Sequence, residues 1–271
     1  MVIDFHTHFY PDKIAAKAMS LVNNVPLIQA ATDGTRSGLE NSMRLNGIDC
    51  SLGLSLVNNA DGSRGINRWA ELNNSFPVLL TGTVHPREEN AAEEVRRIAA
   101  AGLKGVKVHP EYQKFRFNDR SLDRLWKECA ANDLFVITHA GGDVGFPPPW
   151  HSNPVELLDL HRRVPELKLV CAHFGSWDMY DQVEEYLIGE DIYIDTSFIA
   201  VSTEKDPGWL DPERAVRMIR KHGADRVLFG SDSPWCDQGA ALRWVKNLGL
   251  TDSEYKKITG GNAAKLLEGT L

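Results

Sequence analysis

His6-Thr7-His8 closes the strand-like run Val2-Ile3-Asp4-Phe5 near the first residue of the chain. In an extended strand residues i and i+2 point to the same face, so two imidazoles project side by side from one strand end. Such a pair chelates a transition metal. Three later strand-like runs also end in a ligand-type residue: Val136-Ile137-Thr138-His139, Leu169-Val170-Cys171-Ala172-His173 and Val227-Leu228-Phe229-Gly230-Ser231-Asp232. Endings of this kind at well-separated strand tips point to one site assembled by the fold.

Neutral imidazole nitrogen and carboxylate oxygen are good ligands for Zn²⁺ and related divalent ions, and His6, His8, His139 and Asp232 supply both types. A ligated ion lowers the pKa of its bound water towards about 7. Asp232 can then do two jobs, touching the metal and accepting a proton from the water. His173, on the intervening strand, can orient water or substrate, or act as acid or base.

The elements that must position these residues alternate along the chain. Strand patterns cover approximately 2–6, 50–57, 78–84, 104–109, 134–139, 167–173, 191–195 and 225–230, with amphipathic helix patterns between them. Ala91–Ile98 and Ser121–Glu128 repeat their apolar members at helical spacing, and Asn153-Pro154 opens a third helix with a cap residue followed by Pro. Gly102 and Gly223 fall just past helix ends, where a left-handed residue is favoured. Eight strands alternating with helices predict a parallel sheet. A doubly wound sheet often carries a Gly-rich phosphate turn after its first strand, and none follows here. A closed (β/α)₈ TIM barrel also brings strands 1, 5, 6 and 8 to one C-terminal rim, where they can share an ion. The 271 residues lie close to the roughly 250 of one such barrel, and no linker divides 1–271, so a single barrel domain is expected.

Composition narrows the function classes. Lys plus Arg number 30 against 37 Asp plus Glu, a net charge of −7 that lacks the basic stripe of a nucleic-acid binder. No apolar run is long enough to span a membrane. The first residues lack a basic n-region and an apolar h-region, so a cleaved signal peptide is not expected. Cys50, Cys129, Cys171 and Cys236 are scattered without C-x-x-C spacing, which argues against a disulfide framework and for the cytoplasm. Cys50 and Cys171 read as small core residues and Cys236 as a loop residue. The expected partner is a small-molecule substrate, with neither nucleic acid nor membrane and with a homo-oligomer left open.

The motifs together resemble the amidohydrolase superfamily, specifically the amidohydrolase-related branch that includes metal-dependent decarboxylases of aromatic-type acids. The carriers are Ile3-Asp4-Phe5-His6-Thr7-His8, Gly105-Val106-Lys107-Val108-His109-Pro110, Thr138-His139-Ala140-Gly141, Ala172-His173-Phe174-Gly175, Asp195-Thr196-Ser197 and Leu228-Phe229-Gly230-Ser231-Asp232-Ser233-Pro234-Trp235. Gly261-Asn262-Ala263-Ala264-Lys265-Leu266-Leu267 resembles the closing helix. The resemblance implies a barrel with metal held by His6, His8, His139 and Asp232. In two-metal members a carboxylated Lys or a Glu of the fourth strand bridges the ions, which makes Lys107, His109 and Glu111 additional candidates. The one-metal branch does without that bridge, so one tightly bound ion is expected, Zn²⁺ by ligand type, with Mn²⁺, Fe²⁺ or Co²⁺ able to take the same donors.

Trp150, Trp177, Trp209 and Trp235 follow predicted strands 5 to 8, and Trp150 and Trp235 are taken as walls for a flat substrate. Arg96-Arg97 and Arg162-Arg163 read as solvated helix faces, while Lys107, Arg36 and Arg64 are the cations available to a substrate carboxylate. The reaction expected first is hydrolysis, with metal-activated water attacking an amide, lactone or ester-type carbonyl and Asp232 and His173 as the catalytic residues. The alternative is non-oxidative decarboxylation of a small aromatic-type acid on the same ligands.

Overall fold

The structure is a computed structural model and describes residues 1–20, 25 and 28–271. Its strands are β1 (Ile3–Thr7), β2 (Cys50–Gly53), β3 (Val78–Leu80), β4 (Gly82–Thr83), β5 (Gly105–Val108), β6 (Phe135–Thr138), β7 (Leu169–Cys171), β8 (Tyr193–Asp195) and β9 (Val227–Leu228). Every adjacent pair is parallel, in the orders β1-β2-β3 and β4-β5-β6-β7-β8-β9. β3 and β4 are two pieces of one stave: between them Thr81 N donates to Gly53 O (3.0 Å), continuing the ladder to β2. The ring closes where Phe5 N donates to Phe229 O and Asp232 N to His6 O, both 2.8 Å, beside a parallel bridge from Thr7 to Ser233. These contacts make the eight-stave barrel that the alternation of patterns predicts.

Two differences from the predicted strands have a physical cause. The run 50–57 leaves the backbone ladder after Gly53 because hydroxyls replace carbonyls as its acceptors, Thr81 Oγ1 for Ser55 N and Thr83 Oγ1 for Val57 N. The run 225–230 opens with a 3₁₀ turn at Ala224–Arg226 and ladders only over Val227–Leu228. His8 and His139 sit one residue past β1 and β6 and Asp232 lies past β9, on segments that bend over the rim, whereas His6 lies within β1.

Alternation along the staves sorts side chains into two layers. Ile3, Phe5, Leu52, Leu79, Phe135, Ile137, Val170 and Leu228 form one buried cluster inside the ring, plugged below by Ala263, Leu266 and Leu267 of the closing helix. Val78, Val106, Val108, Val136, Leu169, Cys171, Ile194 and Val227 face the surrounding helices in the larger cluster. All four cysteines are free and buried. The helix patterns appear as Ala91–Ala100, as Asp123–Ala131 after a 3₁₀ turn, and as Pro154–Arg163, where Asn153 Oδ1 caps Glu156 N at 3.1 Å. Arg163 is not a solvated residue. It is folded onto Asp123, Asp159 (3.0 Å) and Phe117 O, and its side chain is only 10% exposed.

One buried histidine far from the rim gives the fold a pH dependence. His222 ends the helix Pro212–His222; its Nδ1 accepts from Gly189 N (3.1 Å) and its Nε2–H donates to Ile192 O (3.0 Å). Burial, reinforced by Arg226, pulls its pKa from 6.5 down to about 4. A proton on Nδ1 would face the Gly189 N–H, so folding favours the neutral ring. Because the folded pKa lies below the unfolded one, this contribution is complete above about pH 6.5 and is lost as the pH falls through 4; its ceiling is about 3 kcal/mol. In urea titrations from pH 7.5 to 4.5, the stability advantage of the wild type over His222→Gln should shrink steadily. An advantage that stays constant would remove His222 from the acid response.

Candidate metal centre

His6 and His8 reach one face through a local irregularity. Phe5 faces into the ring, where it meets Phe135 of the opposite stave with ring centroids 5.0 Å apart. Strict alternation would then turn His6 outward. The β1–β2 register shifts between Asp4 and Thr7, and the bulge re-aims His6 inward, a common device beside active sites. Asp4 faces out and clamps the seam. Its carboxylate accepts from Ser231 Oγ (2.6 Å), Ser231 N (2.9 Å) and Gln238 Nε2 (2.8 Å), tying β1 to the segment that carries Asp232. Burial pushes the Asp4 carboxyl up to about 6, against the pull of these donors. Gly230 is required by close approach, since a Cβ there would lie 2.8 Å from that of His6.

The three groups then converge. Asp232 Oδ1 is 3.3 Å from His6 Nε2 and 3.2 Å from His8 Nε2. The other nitrogen of each ring is engaged, His6 Nδ1 with Asp195 Oδ2 at 2.7 Å and His8 Nδ1 with Leu54 O at 3.2 Å. With both Nδ1–H groups donating, the two Nε2 lone pairs and a carboxylate oxygen point at one another. That repulsive arrangement is relieved by a cation, and the carboxylate–histidine contact behind His6 is the support metal-binding imidazoles use. The residues present therefore fit a divalent ion. Burial raises the Asp232 carboxyl, but positive charge at this point, as a proton on His6 or His8 would supply it, holds the carboxyl well below the usual carboxylate range, so it is ionised at neutral pH. Burial, helped by Lys107, lowers His6 and keeps it a neutral donor. Asp232 has φ 70°, a left-handed backbone uncommon outside Gly, Asn and Asp.

His139 stands apart from this triangle. Its Nδ1 is 3.0 Å from His173 Nε2 and its Nε2 is 3.0 Å from Gly142 O. Its ring stacks on His109 at 4.2 Å, and with His109 and Asp143 it forms a second group of potential donors. The structure thus brings together three of the four expected ligands and places the fourth against His173.

His173 is 4% exposed and bends in on a left-handed backbone, φ 58°. Burial first, and His139 next, lowers its pKa well below the ordinary value, so its ring is neutral. Ser197 Oγ is 2.9 Å from its Nδ1 and 2.5 Å from Asp195 Oδ1, and Asp195 Oδ1 also accepts from His173 N at 2.9 Å. One oxygen of Asp195 supports His6 while the other organises His173. Burial raises the Asp195 carboxyl, but His6, Ser197 and His173 pull it down to about 2. Asp195 and Ser197 carry no assigned role in the sequence. Their signals are that Asp195 ends a predicted strand, where an inward side chain reaches the rim, and that Asp195-Thr196-Ser197 is one of the motifs carrying the family resemblance.

The triangle opens on a cavity of about 650 Å³. Trp235, Trp177, Trp69, Phe9 and Phe198 supply aromatic wall, and His8, His109, His139, His173, Lys107 and Tyr112 supply polar atoms. Trp235 lies where the sequence places it, with its ring 6.5 Å from His8. Trp150 is outside the wall: its indole donates to Phe146 O at 3.0 Å and holds its own loop together. Glu111 is also outside, accepting from His151 N and pairing with His151 Nδ1 at 2.5 Å, which pins the loop after β6. Trp69, from the helix Ser63–Asn73, is a wall residue that sequence reasoning missed, because nothing in a helix pattern marks which turn will overhang the rim.

Comparison with known proteins agrees with the fold and corrects one expectation. The chain is 25% identical over 130 residues to gamma-resorcylate decarboxylase of Polaromonas sp. strain JS666, a match covering 40% of this chain and 36% of that protein. The match therefore spans about a third of the relative's length. The 5-carboxyvanillate decarboxylase of Sphingomonas paucimobilis superposes with a TM-score of 0.73 at 18% identity, covering 98% of both chains. A dihydroxybenzoic acid decarboxylase from Polaromonas sp. JS666, with bound manganese and 2-nitroresorcinol, gives 0.72 at 18% identity over 98% of this chain and 96% of that one. These relatives are decarboxylases, so the hydrolytic reaction expected first from the sequence gives way to its alternative. Hydrolysis and decarboxylation draw on the same ligands, which is why the motifs favoured the wrong one. Among the described residues no helix is long and apolar enough to cross a membrane. A family model described as amidohydrolase matches residues 3–269: the chain belongs to the amidohydrolase family.

Proposed function

We propose that the protein is a metal-dependent, non-oxidative decarboxylase of a small aromatic-type carboxylic acid. The observation that carries this reading is the convergence of His6, His8 and Asp232 at the floor of an aromatic-walled cavity with His173 beside them. The decarboxylase relatives support it. His6, His8 and Asp232 would hold one divalent ion, with His139 the fourth ligand the sequence assigns. Zn²⁺ suits these donors, and the manganese in the dihydroxybenzoic acid decarboxylase makes Mn²⁺ the competing identity. When bound, the ion supplies positive charge that fixes and polarises oxygen atoms of the substrate.

The chain's own residues do the rest. Trp177, Trp235 and Phe198 enclose a flat ring and exclude water. His173, neutral at rest, takes up one solvent proton as the anionic substrate enters and, as the imidazolium, passes it from its Nε2 to the ring carbon that bears the carboxylate, returning to its neutral form. The carbon–carbon bond then breaks, CO₂ departs, and the bonding pair returns to the ring. Asp195 and Ser197 hold His173 in register during the transfer. The balance is one carboxylate plus one proton giving arene plus CO₂, with no water consumed.

In D₂O the product should therefore carry one deuterium at the carbon that lost CO₂, and CO₂ should appear in equal amount. Proton NMR with a CO₂ electrode, applied to a panel of hydroxylated benzoic acids, checks both. If the purified, metal-loaded protein releases no CO₂ from any acid in the panel, the substrate class is wrong. If solvent oxygen enters the product, so is the reaction.

A further inference from the structure

Lys107 is the unexplained charge of this cavity. It lies in β5 between the outward Val106 and Val108, so its side chain points into the ring, above the apolar cluster and below the rim. It is 1% exposed and contributes to the cavity wall. Among the described residues it is the one Lys or Arg in that wall, and none of their ion pairs or side-chain hydrogen bonds uses its ammonium. Asp232, Asp195 and Asp143 face it at longer range, and each is engaged elsewhere. Asp232 meets the two imidazoles, Asp195 holds His6 and Ser197, and Asp143 accepts from Gly145 N (2.7 Å) with His109 at 3.4 Å.

A buried ammonium with no bonded partner is costly, and a fold retains one where a partner arrives from outside. The other cations considered for this task are accounted for. Arg36 is bonded to Glu40 (2.8 Å) and to Asn73 O and Ser75 O (2.6 and 2.9 Å), and Arg64 is exposed outside the wall. Resting on the decarboxylase reading of the same cavity, we propose that Lys107 is a specificity-determining residue that binds the carboxylate of the substrate acid.

Lys107 projects from the fourth stave, whereas the donor triangle belongs to the first and last. A ring bound flat between the aromatic walls can then present its carboxylate to one side and its remaining oxygens to the other. Such a contact selects acids over their neutral isosteres, because an amide leaves the ammonium unpaired. A hydrogen bond to a charged group is worth about 10–100-fold in affinity at such a site.

The test is equilibrium binding to the metal-loaded protein, read by quenching of the wall tryptophans. The probes are 2-hydroxybenzoate and its neutral isostere 2-hydroxybenzamide. An ion at the triangle also attracts the acid, so wild type and Lys107→Met are compared at equal metal content. The wild type should prefer the acid, Lys107→Met should lose about 10–100-fold of that preference while binding the amide unchanged, and Lys107→Arg should retain most of it. Should the Met variant fail to fold, Lys107→Gln is read in the same way. A preference that survives loss of the charge overturns the proposal, and so does a parallel loss of acid and amide binding. Acids that bind through Lys107 yet release no CO₂ would sink the decarboxylase reading alone. CO₂ release with an unaltered preference in the Lys107 variants would sink this proposal alone.

Discussion

Asp232→Asn should lower turnover by about 10²–10⁴-fold and weaken metal binding while leaving the barrel folded. The substitution isolates charge from shape. Asn adopts the left-handed backbone of residue 232 without the penalty Ala would carry, and the backbone bonds that seat the segment, Asp232 N to His6 O and Trp235 N to Asp232 O (both 2.8 Å), do not involve the side chain. What changes is the single anionic oxygen facing His6 Nε2 and His8 Nε2. Without metal, that oxygen is pressed against two lone pairs, so removing its charge should not lower the melting temperature of the metal-free protein. With metal, the same oxygen is the strongest ligand of the set, so the upward shift in melting temperature on adding Zn²⁺ or Mn²⁺ should shrink in the variant. Thermal scans with and without metal, elemental analysis and turnover read the three parts separately. Normal turnover with an undiminished metal-induced shift would take Asp232 out of the site.

The fold was largely legible because barrel staves announce themselves by apolar runs at regular spacing, and His6, His8 and Asp232 could be named because ligand types stood at the ends of those runs. What the period could not show is how the chain leaves each stave. The bulge at Phe5-His6 puts two successive side chains inside the ring, which a strict period of two forbids. The pairing of β1 and β2 predicts nothing about it. His139 was placed correctly on its stave, but its ring direction is decided by His173 and Gly142, which lie outside its own strand pattern. Trp150, expected as a pocket wall, and Glu111, an additional fourth-strand candidate, lie outside the cavity lining for the same reason: each is turned onto its own loop by a contact, Phe146 O or His151, that only the folded loop creates. Asp195 shows the converse. Its sequence signal is a carboxylate at a strand end within a family-like motif that carries no role, and that role appears only when His6, from 189 residues earlier, lies 2.7 Å away.

That shared carboxylate leads to the second large effect, at His173. His173→Asn should keep the metal and lose about 10²–10⁴-fold in turnover. Asn again suits the local backbone, φ 58°, and the donors that hold the ion keep their supports: His6 on Asp195, His8 on Leu54 O, and Asp232 on its own backbone bonds. Ser197 Oγ retains Asp195 as an acceptor at 2.5 Å, so the substitution orphans no buried hydroxyl. What disappears is the imidazole that sits between Ser197 and His139 and hands the proton to the substrate. The defect should therefore fall on the proton-transfer step. Solvent deuterium would still enter the residual product, from water rather than from a positioned imidazole, and the rate would become sensitive to added small buffers able to stand in for the lost ring. Elemental analysis alongside turnover separates the outcomes. Loss of metal together with activity would make His173 a ligand and require a second ion or a different donor set. Full metal content with undiminished turnover would leave Lys107 or Tyr112 to deliver the proton, and would reduce His173 to a spacer between two walls of the barrel.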